Sequence, residues 1–357
     1  MENIKKIKVA INGFGRIGRA FLKIAWERND IEIVAVNDLG SIESLAYLLR
    51  HDTVYRNWGH PVRIESNSNG TGKVLLIDDK KVQFISEKDT TKLPWKDLGI
   101  DVVVESTGVF TSYDKAKFHI DCGAKKVVIS APSKKDPSAS AEGSGVTKGE
   151  TILLGINEEK FGTCDITSNA SCTTNAASPL IAILHESIGI EKAILNTVHG
   201  YTASQALVDG PSKKDLREGR AAACNIVPSS TGAAIAVTEA FPELTGLFDG
   251  ISIRVPVPAG SIVDITFIAK RDTTKEEVNK ILKKASKDPH WEKLFAVTED
   301  NLVSSDILGE SHACIADLEM TRVVGGNLVK VLGWYDNEMG YTYTLVDHVV
   351  KTGLTIK

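Results

Sequence analysis

The sequence lacks the cysteine pattern of a disulfide-stabilised or zinc-binding protein. Its five cysteines are odd in number, scattered, and include no C-x-x-C pair: Cys122, Cys164, Cys172, Cys224 and Cys314. Such usage is typical of reduced thiols in a cytoplasmic protein, so we expect neither a disulfide framework nor a metal site.

Long apolar runs and an excess of positive charge are also missing. No apolar run approaches the roughly 20 residues that span a bilayer, and the start of the chain predicts no signal peptide. A net charge of -4 gives no electrostatic reason to expect a nucleic-acid or membrane partner. We therefore expect a cytoplasmic protein.

The 357 residues are enough for two domains. The first part reads as a βαβ unit, with a buried strand at 7–12, a helix at 16–28 and a second strand at 31–37. Apolar runs at 102–105 and 127–130 predict further parallel strands. This half therefore predicts a Rossmann-type parallel sheet.

The second half has a different pattern. A polar segment at 132–149 reads as a surface loop, followed by a strand at 151–156. Long strand-like segments at 192–198, 249–256 and 261–270 have no regular helix between each pair, which favours an antiparallel sheet. The fold class predicted is α/β, with an α+β second domain whose sheet is mostly antiparallel.

The turn between the first strand and helix predicts a nucleotide site. It carries the three glycines of a G-x-G-x-x-G pattern: Gly13, Gly15 and Gly18. The backbone N–H groups of Arg16 and Ile17 open the helix and can face a pyrophosphate. Asp38 ends the second strand, where a carboxylate binds ribose hydroxyls and repels a 2′-phosphate, so NAD is favoured over NADP. The alternative is a packing turn of glycines beside a solvent-facing Asp.

Cys172 is the candidate nucleophile. It lies where a helix is expected to begin, and the helix N-terminus favours a thiolate with a lowered pKa, although Pro179 should disturb that helix. His199 follows a strand and can act as an ion-pair partner and general base. The alternatives are a cysteine packed as a small hydrophobe and a structural histidine.

Hydroxyl and cationic residues near these positions suggest anion binding. Ser171, Thr173 and the segment 229–232 offer hydroxyls and open N–H groups, and Arg254 is a charge in an otherwise apolar strand. Arg217 and Arg220 lie in a long basic segment at 203–225. A solvated or inter-subunit face is an equally good interpretation of these two arginines.

The chain resembles phosphorylating glyceraldehyde-3-phosphate dehydrogenases over essentially its whole length. The motifs that carry the resemblance are Ile11-Asn-Gly-Phe-Gly-Arg-Ile-Gly-Arg19, Val36-Asn-Asp38, Ile129-Ser-Ala-Pro132, Ser168-Asn-Ala-Ser-Cys-Thr-Thr-Asn175, His199-Gly-Tyr-Thr202, Ser230-Thr-Gly-Ala-Ala234, Arg254-Val-Pro256 and Trp334-Tyr-Asp-Asn-Glu338. One departure is Ala176, where many relatives have a second cysteine.

The resemblance implies a reaction. Cys172 would attack glyceraldehyde 3-phosphate to give a thiohemiacetal, and His199 would take the proton as a hydride moves to NAD⁺. Inorganic phosphate would then cleave the thioester to 1,3-bisphosphoglycerate. The resemblance also implies a homotetramer, with an NAD-binding domain at 1–171 completed by a C-terminal helix at 337–357, and a catalytic domain at 172–336.

The resemblance assigns binding residues as well. Those for the substrate phosphate are Thr202, Arg217 and Arg254. Those for the attacking phosphate are Ser171, Thr173, Thr231 and Gly232. Those for the cofactor, besides the three glycines, are Arg16, Ile17, Asp38, Lys88, Ser130 and Asn337.

Three alternatives remain open. Erythrose-4-phosphate dehydrogenases share the fold and thiol chemistry, although His199-Gly-Tyr-Thr202 matches the triose enzymes better. Semialdehyde dehydrogenases use a similar cysteine with fewer phosphate-binding residues. A binding protein without activity is the alternative from a different class.

Overall fold

The computed structural model describes residues 6–66, 72–133, 148–212 and 215–356. The chain forms two compact units. The first comprises Met1–Ile152, Glu158–Ala170 and Leu345–Lys357, and the second comprises Leu153–Asn157 and Ser171–Thr344. The polar segment predicted as a loop at 132–149 lies outside the described residues except at its two ends.

The first unit is built on a nine-stranded sheet in the order β3-β4-β5-β2-β1-β6-β7-β9-β8. Its strands are β1 (Ile7–Asn12), β2 (Ile31–Asn37), β3 (Val62–Ser66), β4 (Lys73–Ile77), β5 (Lys80–Ile85), β6 (Val102–Glu105), β7 (Lys126–Ile129), β8 (Gly149–Thr151) and β9 (Ile166–Ser168). Its helices include α1 (Arg16–Trp26), α2 (Ile42–Arg50), α3 (Trp95–Leu98), α4 (Tyr113–Ala116) and α5 (Phe118–Asp121).

The centre of this sheet is parallel, as predicted. Strand β1 pairs in parallel with β2 on one side and β6 on the other, and β7 continues the sheet beside β6. These central strands are apolar runs because both faces are covered; Val9, Ile11 and Val103 have no exposed surface. The parallel arrangement places the carboxyl ends of β1, β2 and β6 at one edge of the sheet.

The strand predicted at 151–156 is wrong. Strand β8 ends at Thr151, and the chain then turns. Asn157 Oδ1 accepts a hydrogen bond of 2.7 Å from the Leu153 N–H, and Gly155 has a φ of 72°, which favours glycine. The Asn157 side chain therefore closes a turn over residues 153–157, where the apolar run had predicted the hydrogen-bond ladder of a strand.

The second unit contains a seven-stranded sheet in the order β11-β12-β10-β13-β16-β15-β14. Its strands are β10 (Ile190–Gly200), β11 (Val227–Ser230), β12 (Phe248–Val255), β13 (Ser261–Ala269), β14 (Phe295–Thr298), β15 (Cys314–Val324) and β16 (Leu328–Tyr335). Its helices are α6 (Cys172–Ile188), α7 (Ala233–Ala240) and α8 (Lys275–Ala285), whereas α9 (Met339–Leu354) begins in this unit and belongs to the first unit from Leu345 onward.

This sheet is mostly antiparallel, as expected, but it has two parallel pairs. One joins β10 to β12 and the other joins β14 to β15. The β10–β12 register aligns His199 with Arg254. The parallel pair therefore brings two predicted site residues onto adjacent strands.

Helix α6 is buried along most of its length. Ser171 caps it, because its Oγ accepts a hydrogen bond of 3.1 Å from the Thr174 N–H. The disturbance expected from Pro179 does not end the helix, which continues to Ile188. Burial of residues such as Ala177 and Leu180 outweighs the lost backbone hydrogen bond.

Among the described residues, no helix combines the length and the apolar character needed to cross a membrane.

Candidate active site

In the glycine turn after β1, two of the three glycines leave no room for a side chain and the third does. Gly13 has a φ of 96°, and a Cβ there would lie 2.6 Å from the Thr107 nitrogen. A Cβ on Gly18 would lie 2.1 Å from the Gly13 oxygen. At Gly15, in contrast, no atom of the described residues other than its chain neighbours lies within 4 Å of such a Cβ. Gly13 and Gly18 are therefore needed for packing, whereas Gly15 leaves free space beside the N-terminus of α1.

Asp38 follows β2 and holds this turn in place. Its two carboxylate oxygens accept hydrogen bonds from the Phe14 N–H at 2.6 Å and the Gly40 N–H at 2.7 Å. A carboxylate has about four acceptor positions, so Asp38 keeps capacity for a ligand hydroxyl. Asp38 thus has a structural contact that the sequence did not indicate.

The other predicted cofactor residues of the first unit have varied surroundings. Arg16 forms a salt bridge of 3.1 Å with Asp52, and Ile17 is half-buried at the start of α1. The Ser130 N–H donates to the backbone carbonyl oxygen of Glu105 at 2.9 Å. Lys88 is exposed.

A buried polar network lies at the carboxyl ends of β1 and β6. Glu105 accepts hydrogen bonds from Asn12 Nδ2 at 2.6 Å, His119 Nε2 at 3.0 Å and the Thr107 N–H at 2.9 Å. The Trp95 Nε1–H donates to His119 Nδ1 at 2.9 Å, so the proton of the neutral ring is on Nε2. Burial lowers the pKa of His119, although Glu105 opposes this effect.

In the second unit, Cys172 and His199 form a contact pair. The Cys172 Sγ lies 3.4 Å from His199 Nε2. Cys172 is the first residue of α6 and is half-buried, while His199, near the end of β10, is buried. A thiol at a helix start beside an imidazole is an arrangement suited to nucleophilic chemistry.

Arg254 completes this cluster from β12. Its Nη1 lies 2.6 Å from His199 Nδ1 and 3.5 Å from the Gly200 oxygen. Within the described ranges, Arg254 has no carboxylate within salt-bridge distance. A half-buried guanidinium without an anionic partner is a candidate anion site.

The protonation states differ from those expected. Burial raises the pKa of the Cys172 thiol, with the charge of Arg254 acting in the opposite direction. The lowered pKa expected from the helix start is therefore wrong for this state, because loss of solvation is the larger effect. Burial and the charge of Arg254 lower the pKa of His199 to about 3. His199 is thus neutral at pH 7, which suits a base and disfavours the ion-pair role.

Tyr335 is a site residue that the sequence did not reveal. Its hydroxyl, at the end of β16, lies 2.9 Å from Thr173 Oγ1 and 2.8 Å from Thr197 Oγ1. Its ring packs edge-on against His199, with centroids 5.9 Å apart. Two sequence signals were available: Tyr335 lies in the motif at 334–338 that carries the resemblance, and strand alternation places it on the same face as Val331 and Gly333.

The remaining predicted phosphate residues have local partners. Thr202 Oγ1 lies 3.1 Å from Ser204 Oγ, and Thr231 Oγ1 accepts from the Ala233 N–H at 3.2 Å. Gly232 precedes α7 and is exposed, with open space around it. Arg217 is 67% exposed and pairs with Asp215 at 3.8 Å. Among the described residues, the hydrogen-bond partners of Cys172 and His199 do not include any of these four.

Asn337, also in the second unit, is held in place through the oxygen of its side-chain amide. Oδ1 accepts from the Gly260 N–H at 3.0 Å and from Ser261 Oγ at 2.9 Å. Its Nδ2 is therefore the atom that can donate to the carbonyl oxygen of a ligand.

The described residues include no group of three or more His, Cys, Asp or Glu side chains that could hold a metal ion.

Two family models match the chain. Residues 7–113 match the model described as glyceraldehyde 3-phosphate dehydrogenase, NAD binding domain, and residues 171–337 match its C-terminal domain.

Curated relatives match along almost the whole chain. A glyceraldehyde-3-phosphate dehydrogenase of Streptomyces coelicolor is 45% identical over 350 residues, covering 97% of this chain and 98% of the relative. One from Borreliella burgdorferi is 46% identical, covering 97% and 99% respectively. Glyceraldehyde-3-phosphate dehydrogenase 1 of Kluyveromyces lactis is 44% identical, covering 96% and 98%.

Proposed function

The chain belongs to the glyceraldehyde-3-phosphate dehydrogenase family, and we propose that it oxidises glyceraldehyde 3-phosphate with NAD⁺ and inorganic phosphate. The products are 1,3-bisphosphoglycerate and NADH. The observation that supports the proposal most directly is the 3.4 Å contact between Cys172 Sγ and His199 Nε2 at the start of α6.

Covalent chemistry takes place at the sulfur of Cys172. The sulfur adds to the aldehyde carbon as His199 Nε2 accepts the thiol proton, and His199 then gives this proton to the new alkoxide, which yields a thiohemiacetal. NAD⁺, when bound, supplies the two-electron acceptor that takes the aldehyde hydrogen as a hydride. The Cys172 N–H and the His199 side chain hold the substrate oxygen, and His199 accepts the hydroxyl proton as the thioester forms. A phosphate oxygen then attacks the thioester carbon, and the C–S bond breaks to release the acyl phosphate and the Cys172 thiolate, which takes back the proton that His199 holds.

Two anion pockets serve the two phosphate groups. For the substrate phosphate we assign Arg254, which has no anionic partner within the described chain, together with Thr202 and Arg217. The pair between Arg217 and Asp215 is long, at 3.8 Å, and exposed, so a phosphate can replace it. For the attacking phosphate we assign Ser171, Thr173, Thr231 and Gly232.

The residues of the first unit fit a dinucleotide. The free space at Gly15 allows a pyrophosphate to approach the N–H groups of Arg16 and Ile17. Asp38 retains acceptor capacity for ribose hydroxyls and would repel a 2′-phosphate, so NAD is preferred. We assign Lys88 and Ser130 to the same cofactor, and Asn337 to its carboxamide through Nδ2.

We propose that residues 1–171, completed by the helix at 337–357, form the NAD-binding domain and that 172–336 form the catalytic domain.

Exposed apolar side chains in the second unit support self-association. Ile194 and Ile251, on the adjacent strands β10 and β12, are 65% and 52% exposed. Leu207, Val208 and Leu216 are more exposed still, and all three lie in the segment 203–225. A homotetramer would cover these surfaces, and light scattering coupled to size-exclusion chromatography tests this oligomeric state.

We place the enzyme in the cytoplasm, where its thiols stay reduced.

A steady-state assay tests the reaction. We expect NADH formation from glyceraldehyde 3-phosphate to require inorganic phosphate and to be faster with NAD⁺ than with NADP⁺. Erythrose 4-phosphate is the control substrate. A higher kcat/KM for erythrose 4-phosphate would contradict the assignment in favour of the four-carbon sugar, and no turnover with either would favour a binding protein.

A further inference from the structure

The hydroxyl group of Ser261 connects the ends of two strands that carry proposed site residues. Ser261 is the first residue of β13, which lies between β10 and β16 in the sheet. Its Oγ accepts a hydrogen bond of 3.2 Å from the Gly200 N–H, at the end of β10. The same Oγ donates to Asn337 Oδ1 at 2.9 Å, just beyond the end of β16. One hydroxyl therefore joins the strand that carries His199 to the residue assigned to the cofactor carboxamide.

The register of the three strands brings these groups together. Strand β13 is antiparallel to both of its neighbours, so it begins at the sheet edge where β10 and β16 end. Ser261 is aligned with Tyr335, the last residue of β16, and Asn337 follows two residues later. The contact between Ser261 and Asn337 is thus built into the strand pairing and does not depend on a long loop.

The directions of the hydrogen bonds determine how the Asn337 amide is oriented. The Gly260 N–H lies 3.0 Å from this amide and can only donate, so the atom that it faces must be the oxygen. The Gly200 N–H needs a lone pair of the Ser261 hydroxyl, which leaves the single hydroxyl hydrogen for Asn337. Oδ1 therefore has two donors, and Nδ2 is the donor that the side chain offers to a ligand.

Both donors are needed to keep this orientation. The terminal torsion of an asparagine side chain has a broad energy minimum, so one hydrogen bond from Gly260 restrains the amide only weakly. Ser261 and Asn337 are 2% and 6% exposed, and an unpaired polar group is costly at such buried positions. The hydroxyl of Ser261 is therefore the contact that makes the Asn337 amide rigid.

We propose that Ser261 is a positioning residue for the nicotinamide end of the cofactor, because it orients Asn337 Nδ2 towards the carboxamide oxygen. This inference rests on the proposed function, which assigns Asn337 to the carboxamide. Without the hydroxyl, Oδ1 keeps one donor and the amide can rotate. Nδ2 then has the binding orientation for only a fraction of the time, and the affinity for NAD⁺ falls by that fraction.

Equilibrium binding of NAD⁺ and ADP-ribose tests this role without turnover. ADP-ribose has the adenosine, the pyrophosphate and the second ribose of NAD⁺ but no nicotinamide, so its affinity does not depend on a carboxamide contact. We expect Ser261→Ala to raise the Kd for NAD⁺ about fivefold, as for the loss of one hydrogen bond, and to change the Kd for ADP-ribose by less than about twofold. Isothermal titration calorimetry measures both constants, and normal ADP-ribose binding shows that the variant is folded.

The matched control is Ser252→Ala, in the neighbouring strand β12. Ser252 is as deeply buried as Ser261, but its Oγ has no hydrogen-bond partner among the described residues. This variant should change neither Kd. If Ser261→Ala weakened the binding of both ligands equally, a general loosening of the fold would explain the result and the proposal would be overturned. Unchanged binding of both ligands would also overturn it.

Asn337→Ala separates this inference from the proposed function. The variant should weaken NAD⁺ and not ADP-ribose, and unchanged NAD⁺ binding would contradict the assignment of Asn337 to the carboxamide together with this inference. A normal loss in Asn337→Ala without any effect of Ser261→Ala would overturn this inference alone.

The double variant shows whether Ser261 acts through Asn337. In the Asn337→Ala background, Ser261→Ala should weaken NAD⁺ binding no further, because the hydroxyl then has no amide to orient. The same loss of affinity in both backgrounds would mean that Ser261 acts by another route, such as its contact with Gly200, and would overturn the proposal.

Discussion

Two buried histidines, His119 in the first unit and His199 in the second, show how similar burial can serve different purposes. Burial lowers the pKa of both. Each ring nitrogen of His119 has one partner of the right kind, Trp95 as a donor and Glu105 as an acceptor. His199 has two competing neighbours at Nδ1 and a reactive sulfur at Nε2.

The two networks are therefore satisfied to different degrees. We call the Glu105–His119 group the closed network and the Cys172–His199–Arg254 group the open network. In the closed network each hydrogen-bond donor described above faces an acceptor, which favours a single rigid arrangement. In the open network Arg254 has no carboxylate partner among the described residues, which leaves its guanidinium able to bind an anionic ligand. Variants in the closed network should thus change stability, and variants in the open network should change activity.

The largest effect is expected from Cys172→Ser in the open network. A hydroxyl is a far weaker nucleophile than a thiolate, so kcat should fall by about 10³-fold or more. NAD binding, measured by titration, and the urea midpoint should stay close to wild type. Turnover within tenfold of wild type would rule out Cys172 as the nucleophile.

The closed network is tested by Glu105→Gln. The new amide group brings a donor to a position where Asn12, His119 and Thr107 already donate. We expect a loss of about 3 kcal/mol in unfolding free energy, measured with urea. The exposed Glu32→Gln is the control and should change stability by less than about 0.5 kcal/mol. Equal effects of the two variants would contradict the comparison.

His348, a third buried histidine, sharpens the comparison through pH. Its Nε2 lies 2.8 Å from Thr167 Oγ1 and its Nδ1 lies 3.1 Å from Asn169 Oδ1. Burial lowers its pKa from 6.5 to about 3, so below pH 6.5 the unfolded chain binds a proton that the folded chain does not. Stability is therefore lost as pH falls from 6.5 towards 3, by about 1.4 kcal/mol per pH unit for this proton.

His348→Gln removes one group that binds a proton on unfolding, so the unfolding free energy should fall less steeply as pH decreases, even if the variant is less stable at pH 7. Urea unfolding at several pH values between 4 and 7 gives the slope. The exposed His51→Gln is the matched control. An unchanged slope in His348→Gln would mean that His348 is protonated in the folded protein.

The smallest effect is expected from Tyr335→Phe, which removes a hydroxyl that contacts Thr173 and Thr197. Loss of about 1 kcal/mol of hydrogen bonding should raise KM for inorganic phosphate about fivefold and change kcat less. The exposed Tyr47→Phe should change neither. A fall in kcat with unchanged KM would instead indicate that Tyr335 acts through the His199 ring.

The sequence predicted those parts of the fold that depend on local patterns. The βαβ unit at the start follows from apolar runs and glycine spacing, and the helix expected to begin at Cys172 does begin there. The turn after Thr151 was missed because a single side-chain contact from Asn157 decides it. The parallel β10–β12 pair was also missed, because we expected no regular helix between these two strands, whereas helix α7 lies between them in the chain and a long connection of this kind allows parallel pairing.

The sequence predicted which residues form the reactive pair better than it predicted how the side chains around that pair are arranged. Cys172 and His199 are chemically distinctive residue types, and the structure places them in contact. The competition at Nδ1 depends on distances between side chains of different strands, which no local pattern contains. The role of Tyr335 was hidden for the same reason, since its partners are 162 and 138 residues away in the chain. The thiol pKa was misjudged because helix position can be read from sequence whereas desolvation cannot.

The parallel pairing of β10 and β12 also affects how the enzyme becomes active during folding. His199 and Arg254 are 55 residues apart in the chain, and only strand pairing across that distance brings them together. Long-range pairing of this kind forms slowly, because the intervening chain must be ordered first. Recovery of turnover after denaturation should therefore lag behind recovery of helical signal, which makes catalysis a sensitive reporter of the last stage of folding.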